Sequence, residues 1–210
     1  MSDLIFEIRV CEACGLRYPL QQGHAFGIRC PHCLGETKIA LEKTIHEEQK
    51  VREKPEKSDY LRAVLLDNVR SAWNVGSVLR SADGFGFSHV YLCGITPTPE
   101  NESVTKTSLG AEEYLTWSQH KDAVKLVKGL KKEGWKIFAL EEDKRAVHVN
   151  ALPASDKKMC LILGSEVTGV DPSLLDLCDG IFYIPMFGQK RSLNVAIAFS
   201  VAAYAACAAG

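Results

Sequence analysis

The chain has 210 residues, 46% of them hydrophobic, with 25 Lys and Arg set against 26 Asp and Glu. That composition supports a real core in one medium domain, or in one domain with a small appendage. A formal charge of −1 excludes nucleic-acid binding by bulk charge, which needs many Lys and Arg contacts to phosphate, so any such role requires a local patch.

The first residues, MSDLIFEIRV, lack the basic segment and apolar run of a secretory signal. The longest apolar stretch, VAIAFSVAAYAACAA after Asn194, is too short and too rich in alanine for a membrane span. A cytoplasmic protein is therefore expected. Of the eight cysteines, Cys93, Cys160, Cys178 and Cys207 sit singly in apolar surroundings, as buried free thiols do.

The other four form two CxxC pairs, Cys11 with Cys14 and Cys30 with Cys33, separated by fifteen residues. This is zinc-ribbon spacing: each pair places two thiolates on one tetrahedral ion, and the intervening hairpin carries the second pair back to it. Residues 1–40 are thus expected to be a zinc ribbon whose structural metal stands in for a core so short a segment cannot build. They carry four basic and four acidic side chains, which argues against a nonspecific phosphate clamp and leaves two readings open: shape-specific RNA contact, or a structural or dimer-contacting cap. Residues 41–59, rich in Glu and Lys around Pro55, read as a solvated helix or linker.

From about residue 60 the pattern becomes apolar runs alternating with amphipathic segments: RAVLLDNV, a helix, HVYLCG, a loop rich in Pro and Thr, a basic helix around HKDAVKLVKGLKK, KIFALEED, MCLILG, a short helix, IFYIPM and a final helix. Strands alternating with helices predict an α/β domain, residues 60–210, with a parallel sheet covered on both faces. The lysines of the basic helix, Lys121, Lys125, Lys128, Lys131 and Lys132, read as a solvated face, with an added basic surface for RNA as the other reading. Neither GxGxxG nor GxxxxGK[ST] is present, which disfavours ordinary dinucleotide or nucleotide-triphosphate binding.

Ligands of open parallel sheets bind beyond the carboxyl ends of the strands, so residues just after each apolar run are the first candidates. In NVGSVLRSADGFG, Val75, Val78, Leu79 and Ala82 form a buried helical stripe that Asn74 is expected to cap, while Ser77, Arg80, Ser81 and Gly84 share another face. In GSEVTGV, Glu166 stands between two glycines directly after a strand. In IPMFGQKRSLNV, a basic loop leads to Ser192 or Asn194, either of which can open a nearly all-apolar helix that must be buried on most sides.

Taken together, NxGxxxR at Asn74, Gly76 and Arg80, LGSExxG at Leu163 to Gly169, and IPM followed by SLNV at Ser192 to Val195 resemble in order and spacing the three motifs of the SpoU/TrmH-type RNA 2'-O-ribose methyltransferases of the SPOUT superfamily. TSLGA at Thr107 to Ala111 adds to the match. The resemblance implies a SPOUT fold with a C-terminal deep trefoil knot, an obligate homodimer with active sites built from both subunits, and an RNA substrate, transfer or ribosomal. It implies S-adenosylmethionine held by backbone around Leu140, Leu163, Gly164, Ile184, Met186 and Leu193. It makes Arg80 the catalytic arginine, with Asn74, Glu166 and Asn194 completing the polar shell and Ser192 beside them. Competing readings are a SPOUT base methyltransferase and a noncatalytic RNA-binding or assembly factor on the same scaffold; SLNV and the NxGxxxR arginine favour ribose.

Overall fold

The computed structural model describes residues 4–27, 29–45, 60–153 and 157–208. The chain divides into two compact units, Met1–Glu56 and Lys57–Gly210.

The first unit is an antiparallel sheet in which β1 (Leu4–Cys11) lies between β2 (Arg17–Gln21) and β3 (Thr37–Ile45). Residues 41–45, expected to begin a solvated connector, instead complete β3: Leu41 pairs with Ile8, Thr44 with Ile5 and Ile45 with Leu4. All five residues of LEKTI are exposed, so no buried stripe marks the stretch as strand; its pairing with β1 makes it one. The remainder of that connector lies outside the described residues.

The second unit is built on a seven-stranded sheet in which every neighbouring pair is parallel. In chain order it contains β4 (Leu61–Asp67), α1 (Ala72–Gly84), β5 (His89–Cys93), α2 (Glu102–Ser108), β6 (Thr116–His120), α3 (Ala123–Lys132), β7 (Lys136–Leu140), β8 (Val147–His148), β9 (Lys158–Leu163), α4 (Pro172–Leu175), β10 (Gly180–Tyr183) and α5 (Val195–Ala208). The spatial order is β6-β5-β4-β9-β7-β10-β8. From β4 the chain first builds outward through β5 and β6, then crosses to the other side, and β9 fills the place between β4 and β7. That reversal of direction is where such sheets open a ligand crevice.

Two apolar layers enclose the sheet. Val64, Leu66, Leu161 and Leu163 face Val78 and Leu79 of α1 and Phe199 and Ala203 of α5, whereas Ala63, Leu65 and Ile162 face Val127 and Leu130 of α3 and Leu174 of α4. Continuous apolar runs in β4 and β9 are thus explained by burial on both faces. Lysines 125, 128 and 132 of α3 are exposed, while Lys131 donates to the Leu177 carbonyl at 2.6 Å.

Helix α1 starts earlier than its stripe suggested. Ser71, not Asn74, is its N-cap, accepting from the Asn74 amide, so Asn74 belongs to the first turn. Gly76 is buried where α2 crosses: a Cβ there would lie 2.0 Å from Thr107 Oγ1 and 2.2 Å from the Val104 carbonyl oxygen. Close crossing of two helices, rather than catalysis, therefore requires the glycine of NxGxxxR.

At the β5–β6 edge, Ser118 Oγ lies 2.8 Å from His89 Nε2 and 2.9 Å from His120 Nε2. Burial first, and the neighbouring His120 second, hold the His89 imidazole below its ordinary pKa. The unfolded chain takes up that proton near the ordinary value, about 6.5. Stability from this group is thus complete above that pH and is lost as pH falls through the lower folded value. Thermal unfolding at pH 7 and pH 5.5 should give a smaller loss of Tm on acidification for His89→Gln than for the unaltered chain; equal losses would remove His89 from the acid response.

Candidate active site and metal centre

The ends of β7, β9 and β10 converge on a cavity of about 440 Å³. Its wall contains Leu140, Leu163, Gly164, Ile184, Met186 and Leu193, the six residues expected around the cofactor. Glu166, Ser192 and Asn194 also line it, whereas Asn74 and Arg80 do not.

The loop after β9 forms its most constrained wall. Ser165 and Gly169 exchange backbone hydrogen bonds of 3.1 and 2.9 Å, closing residues 165–169 into a tight turn. Gly169 sits at φ +71, and a Cβ on it would meet Glu141 Oε2 at 2.4 Å. A Cβ on Gly164 would lie 2.1 Å from the Gly169 carbonyl carbon. The same Glu141 oxygen accepts from the Val170 amide at 2.8 Å, while Oε1 accepts from the Glu142 amide at 2.9 Å. Glu141 was not among the residues singled out from the sequence. Its signal was available in KIFALEED: like Glu166, it is the first acid after an apolar strand.

Glu166 is an anchor for the start of α1. Its Oε2 accepts from the Arg70 amide at 3.0 Å, and its Oε1 accepts from the Ser71 amide at 3.2 Å and from Asn74 Nδ2 at 2.9 Å. Asn74 in turn accepts at Oδ1 from Asn194 Nδ2, 2.9 Å away. Asn194 uses its own Oδ1 to accept from the Ala196 amide at 2.9 Å, which caps α5. A single hydrogen-bonded chain, Glu166–Asn74–Asn194, therefore ties together the three segments singled out in the sequence. Partial burial raises the Glu166 pKa, but the hydrogen bonds from the Arg70 amide, Asn74 and the Ser71 amide outweigh it, and the carboxyl titrates below its ordinary value. An ionised carboxylate at a helix N-terminus also complements the helix dipole. These bonds suit an orienting group and make a weak proton acceptor.

Arg80 lies further along α1, exposed and outside the cavity wall. Among the described residues, the side chains of Arg70, Arg80, Lys190 and Arg191 are exposed and form no ion pair. Next to Arg80, Ser81 Oγ lies 2.9 Å from Ser200 Oγ of α5. The expectation that α5 is buried on most sides holds for Ala196, Phe199, Ala202 and Ala203 but not for Ile197 or Tyr204, which are 55% and 64% exposed in the single chain.

In the first unit, the sulfurs of Cys11, Cys14, Cys30 and Cys33 all lie within 4.8 Å of one another. Cys11 and Cys33 are 3.4 Å apart and Cys14 and Cys30 3.7 Å. A disulfide needs about 2.05 Å, whereas four thiolates around a tetrahedral ion at about 2.3 Å stand about 3.8 Å apart. The two CxxC turns are built alike: Gly15 donates to the Cys11 carbonyl and Leu34 to the Cys30 carbonyl, with both donors at positive φ. Such a donor set fits a thiophilic ion.

The SpoU rRNA Methylase family model matches residues 62–204. RlmP of Bacillus subtilis, a 23S rRNA (guanosine(2553)-2'-O)-methyltransferase, is 31% identical over 143 residues, which cover 68% of this chain and 56% of the relative. A Staphylococcus aureus protein assigned to the TrmH family of tRNA/rRNA methyltransferases is 29% identical over 157 residues, 75% of this chain; the chain spans 62% of that relative's length. Among solved structures, the A. aeolicus TrmH/SpoU tRNA modifying enzyme is 26% identical with a TM-score of 0.64, covering 72% of this chain and 76% of that one. The AdoMet-bound rRNA methyltransferase of Sinorhizobium meliloti shares the fold with a TM-score of 0.67 at 24% identity, over 71% of this chain and 57% of that one.

Proposed function

The chain belongs to the SpoU rRNA methylase family, and from that premise we propose that it transfers a methyl group from S-adenosylmethionine to a ribose 2'-hydroxyl of structured RNA, transfer or ribosomal. The observation that carries this reading is the cavity beyond β7, β9 and β10, with the Glu166–Asn74–Asn194 chain beginning and ending in its wall. Its volume lies in the usual range for small-molecule sites, and at Gly164 and Gly169 the wall is bare backbone that no Cβ could share. Apolar side chains at Leu140, Leu163, Ile184 and Leu193 suit an adenine ring, and backbone groups of the same segments suit its polar edges. When bound, the cofactor supplies a methyl group on a positively charged sulfur, electrophilic enough for a ribose oxygen to attack.

A sugar hydroxyl is a poor nucleophile near neutral pH, so the chain's own residues must position it and stabilise charge as its proton leaves. Arg80 is assigned to the adjacent phosphate and the developing oxyanion, since a guanidinium is hard to deprotonate and cannot serve readily as a base. Glu166, ionised and committed to three donors, holds Asn74 and the head of α1 in place, while Asn194 and Ser192 line the cavity. Arg80 stands outside the cavity of its own chain, and α5 beside it exposes Ile197 and Tyr204. Both features support a homodimer in which an arginine reaches the site of the other copy. A C-terminal trefoil knot belongs to the same reading.

Isothermal calorimetry with S-adenosylmethionine, followed by transfer of labelled methyl to cellular RNA and ribose-methylation mapping, tests the reading. Binding and 2'-O-methyl product are expected; a folded protein without affinity for the cofactor would overturn it. Glu166→Gln replaces one acceptor oxygen by an NH2 facing amide donors. It should lower kcat about fivefold to more than a hundredfold, from about 1–3 kcal/mol of lost and opposed hydrogen bonds, with cofactor affinity nearly unchanged. The reverse pattern would move Glu166 into binding.

The four thiolates are proposed to hold one structural zinc ion. Chelation should abolish hydrogen-exchange protection in Leu4–Ile45 while leaving the amides of β4 and β9 protected; protection of the first unit that survives complete metal removal would exclude this role.

A further inference from the structure

The first unit contains a second concavity, of about 520 Å³, lined among others by Glu7, Arg9, His24, Arg29, Glu36 and Thr37. At its floor Glu7 and Arg9 form an ion pair, with side chains only 8% and 15% exposed. Arg9 is held by further donations, from Nε to Thr37 Oγ1 at 3.0 Å and from Nη2 to the Thr37 carbonyl at 3.3 Å, and Thr37 Oγ1 donates to the Gly27 carbonyl at 2.7 Å. Arg9 meets Glu7 at Oε2; Glu7 Oε1 has no partner among the described residues.

A buried pair of this kind is poor value for stability, since desolvating two charges offsets most of their attraction and apolar residues would pack as well. Its geometry makes sense as a recognition surface. The lining carries two carboxylates and two guanidiniums, so it offers no net attraction to a phosphate or a metal ion; the fitting ligand is neutral, planar and rich in both donors and acceptors. We propose that this pocket binds a guanine base of the RNA substrate. Guanine alone among the four bases presents two adjacent N–H donors, N1–H and N2–H, for a carboxylate, beside acceptors O6 and N7 for a guanidinium. Adenine would set its N1 lone pair against Glu7, an opposed contact that discriminates by repulsion. The wall suits a stacked base: the Phe26 amide donates to His24 Nδ1 at 3.2 Å and the two rings lie 5.2 Å apart, which fixes the imidazole plane. Base reading of this kind lets a segment with balanced charge contact RNA without a phosphate clamp.

The inference rests on RNA being the substrate and is tested separately from methyl transfer. With the zinc-loaded full chain, fluorescence anisotropy compares single-stranded uridine hexamers carrying one central guanosine with otherwise identical hexamers carrying adenosine. Amide chemical shifts then locate the contact. The guanosine hexamer should bind about tenfold tighter, with shifts at Gly23, His24, Glu36 and Thr37. Glu7→Gln should abolish the preference at unchanged zinc content; should that variant not fold, His24→Ala, on the exposed wall, should weaken guanosine binding several-fold with zinc retained. Equal binding of the two hexamers, shifts outside this pocket, or unchanged guanosine affinity in a folded His24→Ala chain would overturn the proposal. A chain that methylates RNA yet lacks the preference sinks only this pocket, and a chain without methyl transfer that keeps the preference sinks only the catalytic reading.

Discussion

Replacing Arg80 by alanine is expected to lower single-turnover methyl transfer by about two to three orders of magnitude, the usual effect of removing one group that stabilises developing charge. Little else should change. Arg80 is exposed on α1, contributes nothing to either apolar layer, and its side chain makes no hydrogen bond or ion pair among the described residues. Alanine also favours the helix more than arginine does, so thermal stability should hold or rise slightly. Cofactor affinity should persist because Arg80 is assigned to the RNA phosphate and the developing oxyanion, not to the cofactor. Arg80→Lys is the informative companion: it keeps the charge but loses the planar fork, and should recover only part of the rate. Near-normal methylation by a folded Arg80→Ala protein would exclude both phosphate grip and oxyanion stabilisation.

The contrast between Arg80 and the Glu166–Asn74–Asn194 chain explains what could be read from sequence. Motif spacing brought these residues into one candidate set; Glu166, Asn74 and Asn194 meet through hydrogen bonds, Ser192 lines the same cavity, and Arg80 stands apart from them. Spacing along α1 places Arg80 on the same helix as Asn74 but does not say whether it reaches the cavity. Glu141 escaped attention because an acid in the run EED looks solvated; only the fold places its carboxylate under Gly169 and Val170.

Secondary structure was legible wherever both faces of an element are buried. Strands β4 and β9 read as unbroken apolar runs because one face meets α1 and α5 and the other meets α3 and α4. Edge elements were not legible. TWSQH forms β6 with its polar side chains at the sheet margin, where His89, Ser118 and His120 satisfy one another, so no apolar run marks it. ESVTKTS forms α2 with only Val104 and Ser108 buried, too little for a stripe; what holds it is the bare surface of Gly76. Such elements exist through the neighbour they cover, which a local pattern does not contain.

Gly164→Ala should damage both halves of the site at once. The added Cβ would lie 2.1 Å from the Gly169 carbonyl carbon and 2.2 Å from both the Gly169 oxygen and the Val170 nitrogen. All three are backbone atoms, so no rotamer change relieves the clash. Relief requires opening the Ser165–Gly169 turn and drawing the Val170 amide away from Glu141. The loop would then carry Glu166 away from the Arg70 and Ser71 amides and from Asn74, releasing the head of α1. Overpacking of this kind costs about 1–3 kcal/mol, and if the whole cost falls on the cavity wall, cofactor affinity drops about fivefold to more than a hundredfold. Gly129→Ala is the control, since in α3 nothing lies within 4 Å of its added Cβ; it should be neutral or stabilising by up to about 1 kcal/mol. Thermal unfolding and calorimetry with S-adenosylmethionine separate the outcomes. If Gly164→Ala folds and binds the cofactor as tightly as the Gly129→Ala control, the 164–170 loop is not the wall that holds it, and Glu166 anchors α1 for reasons of folding alone.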